Sequence, residues 1–321
     1  MRKKRINQLL SILIGVSLLL LFALLGFEAV SAIRAAITQK ATKDLYPVSG
    51  SALFDSIFVS AIAEEDDFIL DKDENSFISQ ENTPAIGEII TISEGSTEWE
   101  EVSLDEEQPV LRDDFKALFD ANPDIIGWLT VGEHTDNPVV QRDNAFYLTH
   151  NFFGRSDSNG TLFLNQANCI WPRDKILLIH GHAMRSGQMF GSLRKYKDEA
   201  YVREHPIIEF RTIYEEEKHF FVPVAGFDAS MEMGDKWFFD ALQFNFASIE
   251  EQENYLKQIN SLSYWHTPLE WNCEDNLLIL ITCSYLHANG RFLLVCRELR
   301  ENETVETVTD TLNNAAWMPI E

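Results

Sequence analysis

Cys283 ends an unbroken apolar run, Leu277-Leu278-Ile279-Leu280-Ile281-Thr282, at the point where the chain turns polar. Such a run reads as a buried strand that delivers a thiol to the end of a sheet. Eight residues later Arg291 opens a second apolar run, and Asn289-Gly290 before it marks a turn. The two runs are therefore expected to pair antiparallel, with thiol and guanidinium at the same end. A fixed cation beside a thiol favours the nucleophilic thiolate over the neutral form, whose pKa is ~8.5 in a free cysteine. Taken alone, the pair also describes a buried structural cysteine and a surface arginine. A third run, Ile176-Leu177-Leu178-Ile179, ends in His180-Gly181-His182, two histidines at strand spacing. An imidazole near a thiol can take its proton or form an ion pair with it, and can later protonate a leaving amine. A His-x-His pair could instead contribute to a metal site, which wants a third ligand. The sequence has no His-Glu-x-x-His and no Cys-x-x-Cys, so neither a metal nor another cofactor is expected.

The elements that must position these groups follow from the surrounding pattern. Short apolar runs separated by turn residues cover 126–131, 138–141, 161–164, 176–182, 207–213, 219–226, 277–283 and 291–299. Eight short strands predict an all-β barrel or sandwich with inserted helices. An entry helix is expected around Phe115, Leu118 and Phe119, and helical insertions over 187–201 and 249–262. A Cys, a His and an Arg at the ends of three buried strands point to a cysteine acyl-transfer enzyme. A papain-type protease is disfavoured, because its nucleophile sits on an early helix and Cys283 ends a late strand. Four cysteines (Cys169, Cys273, Cys283, Cys296) are too few for a disulfide framework in 321 residues.

The rest of the chain divides by composition. Four basic residues within Met1–Arg5 precede an uncharged, Leu-rich stretch from Asn7 to Phe27. That stretch is long enough, at ~1.5 Å per residue, to cross a ~30 Å hydrocarbon core. The basic flank places the N-terminus in the cytoplasm and everything after Phe27 outside the cell. The competing reading is a cleaved signal peptide, because Val30-Ser31-Ala32 has the small residues of a cleavage site, although the apolar stretch is longer than a usual signal core. Sixteen acidic residues against one lysine fill 64–107 and contribute much of the net charge of −25. This balance argues against a nucleic-acid partner, and the tract itself reads as a self-repelling spacer. The expected organisation is a cytoplasmic tip and transmembrane anchor over 1–30 and an acidic extracellular stalk over 31–107. A catalytic domain over 108–300 and a polar tail over 301–321 follow.

Four segments in order resemble the class B sortases of Gram-positive cell surfaces, across about Leu111 to Leu299. They are Asn122-Pro123-Asp124-Ile125-Ile126-Gly127-Trp128-Leu129; Pro138-Val139-Val140-Gln141-Arg142-Asp143-Asn144-Ala145-Phe146-Tyr147-Leu148; Gly181-His182-Ala183-Met184 with Met189-Phe190; and Leu280-Ile281-Thr282-Cys283-Ser284-Tyr285 with Asn289-Gly290-Arg291-Phe292. The helix over 249–262 resembles that family's insertion. The resemblance implies an eight-stranded sortase barrel and a cysteine transpeptidase with Cys283 as nucleophile, His182 as acid and base, and Arg291 holding substrate or oxyanion. The substrate would be a secreted protein bearing a C-terminal sorting signal, cut after Thr. The acceptor would be an amine of peptidoglycan or of a pilin subunit. Asn144 and Leu148 fall where the family's pocket is lined, and Thr282 and Ser284 flank the nucleophile. His180 and Ile281 stand where Tyr and Ser are commoner, near the same pocket, so all six are expected to contact substrate. A hydrolase that releases its clients, or an exported binding module without turnover, are the alternatives.

Overall fold

Residues 29–46, 108–284 and 289–317 are described by the computed structural model. The stretch Asn7–Phe27 and the acidic tract 64–107 lie outside them. Among the described residues, no helix is long and apolar enough to cross a membrane.

Eight strands close into a barrel: β1 (Ile125–Val131), β2 (Thr135–Val140), β3 (Leu162–Leu164), β4 (Ile176–His180), β5 (Ile208–Thr212), β6 (His219–Ser230), β7 (Leu277–Cys283) and β8 (Gly290–Glu298). Their order around the barrel is β1-β2-β3-β4-β7-β8-β6-β5. Alternation along each strand sends side chains to two apolar layers. Leu177, Ile179, Leu278, Leu280 and Leu294 fill the interior with Leu129 and Phe210. Ile176, Leu178, Ile279, Ile281, Leu293 and Val295 point outward under a second layer. Both faces of β7 are thus covered, which is why its sequence is continuously apolar rather than alternating. The outer cover is the helix Ile249–Leu262, whose Tyr255, Leu256 and Ile259 are buried. Burial of each such side chain stabilises the fold by about 1.5–3 kcal/mol.

Two pairings place the chemistry. β4 and β7 run parallel, with His180 opposite Ile281. β7 and β8 run antiparallel, with Cys283 opposite Arg291 as the turn signal predicts. β6 lies on the far side of β8 and sets Ala229 opposite Arg291 and Asp228 opposite Phe292.

Three segments differ from expectation. Residues 187–192 form turns, followed by a 3-10 turn at Leu193–Lys197 and a short helix at Glu199–Glu204. A continuous helix is blocked there: Met189 adopts φ 51°, and a Cβ on Gly191 would lie 2.0 Å from the Met184 carbonyl oxygen. At the C-terminus, the expected polar tail contains a helix, Val305–Asn314, opened by a Thr304/Thr307 capping box and burying Val308 and Leu312. The third is the beginning of the expected stalk. A helix runs over 29–45 and packs on the barrel. Its last residues, Leu45 and Tyr46, enter an apolar cluster with Phe115, Leu118, Trp128 and Tyr147. Tyr46 stacks on Trp128 at 4.6 Å between ring centroids and lies 5.0 Å from Phe115. At the other end of this helix, Ser31 Oγ donates to Asn159 Oδ1 at 2.8 Å.

Candidate active site

Cys283, at the last position of β7, is half-buried on the outer face of the barrel. It hydrogen-bonds His182. That histidine reaches it because β4 ends at His180 and the chain then bends. The Gly181 N–H donates to Ile281 O at 3.1 Å, after which His182 leaves the sheet. The other ring nitrogen, Nε2, lies 2.7 Å from the Leu148 carbonyl oxygen. A ring nitrogen facing a carbonyl carries a proton, so Nε2–H donates. Gly160 makes room for this contact, since a Cβ there would lie 2.4 Å from Tyr147 O and 3.2 Å from the His182 ring.

The electrostatics favour an ion pair. The hydrogen bond to His182 holds the Cys283 thiol below its ordinary pKa against the opposing effect of burial, with Arg291 and Arg194 adding to it. The same hydrogen bond raises His182, with the Leu148 carbonyl adding and burial and Arg291 opposing. Thiolate and imidazolium therefore stabilise each other. Arg291 is placed across the strand pair by register, and its Nη1 donates to the Gly290 carbonyl at 2.9 Å.

His180 behaves differently from His182. Burial, with Arg291 nearby, pushes its pKa down to about 4. It stacks on Phe163 at 4.9 Å, and its Nε2 sits 3.1 Å from Asn165 Nδ2. A neutral ring accepting from an amide and packed on an aromatic belongs to the wall of the site.

The remaining expected contact residues divide. Leu148 is 38% exposed beside His182. Asn144 accepts from the Gln166 N–H at 2.8 Å, which fixes its loop. Ile281, Thr282 and Ser284 are buried. Thr282 Oγ1 donates to Gly181 O at 2.7 Å, and Ser284 Oγ donates to Asp228. The two hydroxyls flanking Cys283 therefore brace it from the barrel interior. Arg194 and the Leu148 carbonyl were not legible as site groups, because each arrives from a loop whose path the sequence does not encode. Asp228 had a visible signal, a carboxylate set between Phe227 and Ala229 inside an apolar run. Among the described residues, no three His, Cys, Asp or Glu side chains are grouped to hold a metal.

Sortase B of Listeria monocytogenes is 29% identical over 178 residues, covering 54% of this chain and 68% of that protein. Among solved structures, sortase B of Clostridium perfringens matches with a TM-score of 0.52 and 29% identity, covering 58% of this chain and 99% of its own. Sortase B of B. anthracis in complex with AAEK1 matches at 0.53 and 26%, covering 61% and 88%. No family model matches the chain. A closed eight-stranded barrel carrying a paired thiol and imidazole, with a guanidinium across the strand pair, defines a cysteine transpeptidase of the sortase type. Within that type the chain is similar to the class B sortases.

Proposed function

We propose that this sortase is anchored in the cell membrane by Asn7–Phe27, with its N-terminus in the cytoplasm and its barrel outside. There it cuts secreted proteins at a C-terminal sorting signal, after a threonine, and joins them to an amine of peptidoglycan or of a pilin subunit. The observation that carries the chemistry is the Cys283–His182 hydrogen bond with Arg291 in register opposite the thiol. The Cys283 thiolate adds to the threonine carbonyl carbon, and Arg291 faces the oxyanion that forms. His182 gives its proton to the departing amine as the C–N bond breaks, leaving a thioester. An incoming amine then adds to the thioester, His182 takes its proton, and the thiolate leaves. The basic segment Met1–Arg5 before an uncharged stretch supports the orientation.

The test is mass spectrometry of the protein with a panel of signal peptides, with and without an added amine. A thioester on Cys283 and a ligated product are expected, and His182→Ala should abolish both. Release of free acid even at high amine concentration would make the protein a hydrolase. Peptide binding without a thioester would make it a non-catalytic module. Protease added to intact cells should remove the barrel and leave a membrane-bound stub; recovery of the whole barrel from the medium, beginning near Ile33, would overturn the anchor.

A further inference from the structure

The carboxylate of Asp228 is the most deeply placed negative charge near the nucleophile. Its side chain is 1% exposed. Burying a carboxylate costs several kcal/mol unless donors and a counter-charge compensate, and here the compensation is specific. Lys197 and Tyr264 both direct donors to Oδ2, and Ser284 Oγ donates to Oδ1. Lys197 comes from the 3-10 turn that follows the His182 segment, and Tyr264 from just beyond the helix Ile249–Leu262. Ser284 is the residue next to Cys283. One buried carboxylate thus joins three separate elements, and one of them is the end of the nucleophile's strand.

Register explains why this matters. Asp228, Thr282 and Ser284 point to the interior face, while Cys283, Arg291 and Ala229 share the outer face. At the strand end, Ser284 N–H donates to Gly290 O at 2.8 Å, the last backbone link between the two strands among the described residues. A side-chain bond to β6, two strands away, adds a second point of attachment. It prevents the strand end from rolling about the first and carrying the thiol away from His182 and Arg291.

We propose that Asp228 is a positioning residue for the reaction, holding Ser284 so that Cys283 stays opposite Arg291 and within reach of His182. The proposal rests on Cys283 being the nucleophile, as in the function given above. It is tested in the full chain with Asp228→Asn, Ser284→Ala, the double variant, and Ser284→Thr, which keeps the hydroxyl. Two readouts are used: kcat and KM for signal-peptide cleavage, and the pH dependence of iodoacetamide alkylation mapped to Cys283. Each single variant is expected to lower kcat at least tenfold with KM changed less than threefold, and to move the alkylation midpoint to higher pH. The double variant should be no worse than the worse single one, because both remove the same link. Ser284→Thr should stay within threefold of the parent. Glu303→Gln, which removes the partner of the buried Arg297 elsewhere in the protein, should lower Tm while leaving kcat and the alkylation midpoint in place.

A Ser284→Ala protein with parental kcat and alkylation midpoint overturns the proposal, as do multiplicative effects in the double variant. If Asp228→Asn does not fold, Ser284→Ala decides alone, since it leaves Lys197 and Tyr264 on the carboxylate. Alkylation needs no peptide, so absence of turnover in the parent protein would count against the function and leave the brace to be judged by its midpoint.

Discussion

Replacing Tyr46 tests whether the 29–45 helix is part of the catalytic body. The residue is 6% exposed, stacked on Trp128 and in contact with Phe115. Truncating a buried aromatic to alanine costs about 3–5 kcal/mol in a core. Its hydroxyl, however, is buried without a hydrogen-bond partner, a burden of about 1–3 kcal/mol that truncation relieves. The net expectation for Tyr46→Ala is a loss of about 2 kcal/mol, which for a body of this size is a fall of about 4–8 °C in Tm. Tyr46→Phe keeps the stack and removes the unpartnered hydroxyl, so it should gain about 1 kcal/mol and melt about 2–4 °C higher. The Lys43–Asp136 ion pair is exposed, so Lys43→Ala should change Tm by no more than the ~1 kcal/mol of a surface pair. Scanning calorimetry on a chain beginning at residue 29 measures all three. Opposite signs for Ala and Phe are the signature of the packing described. If Tyr46→Ala melts with the parent, the helix is not docked in solution, and a chain beginning at 108 should then be as stable as one beginning at 29.

Activity should follow a bell in pH, rising with Cys283 ionisation and falling as His182 loses its proton. Arg291 lowers both groups, behind their mutual hydrogen bond and the effect of burial. Arg291→Ala should therefore shift both limbs to higher pH as well as lowering kcat, while Arg291→Lys keeps the limbs but loses the planar fork of donors that a guanidinium offers an oxyanion. Unmoved limbs in the alanine variant would remove Arg291 from the electrostatics. Methanethiosulfonate below neutral pH should modify Cys283 first. Cys169 is also exposed, but its thiol donates to the Trp171 carbonyl, and burial raises Cys273 and the inaccessible Cys296. Inactivation that tracks another cysteine would refute the assignment. His219 tests the end of the barrel away from Cys283. Burial opposes its charge, but Glu215 and Glu298 outweigh it and hold its pKa above 6.5, while both carboxylates are held below 4.5. The histidine's contribution is present below 6.5 and lost as pH rises through its raised value. That of the glutamates is present above 4.5 and lost on acidification. His219→Gln should therefore cost most Tm between about pH 4.5 and 6.5 and progressively less at alkaline pH; a pH-independent cost would mean the cluster acts by packing alone.

The parts legible in the sequence are those in which one strand carries its own signal. β7 is apolar on both faces, so its run ends visibly at Cys283, and Asn289-Gly290 sets the Arg291 register. The pairing of β4 with β7 is not local: His180 meets Ile281 across a hundred residues, and no signal within either run specifies it. β6 extends to Ser230, beyond the expected Gly226, because Asp228 and Ser230 look like the end of a strand yet are buried. The 29–45 helix was hidden for the opposite reason. It turns Ala35, Thr42 and Leu45 inward and leaves Val30, Ile33 and Ile37 exposed, so its periodicity points away from the barrel. Thr282 and Ser284 are expected from the resemblance to contact substrate, but which face they serve depends on register, and register turns them inside.

The docking of Tyr46 against Phe115 has a topological consequence. Tyr46 is held on the barrel on one side of the acidic tract, and on the other Arg112 N–H donates to Ile213 O at 2.9 Å. Residues 46 and 112 are therefore both fixed on one body. A cut anywhere between them would leave residues 29–46 held to the barrel by packing and hydrogen bonds alone. With Ser31 bonded to Asn159 at the other end of the helix, the junction with whatever carries residue 28 lies on the surface of the barrel body.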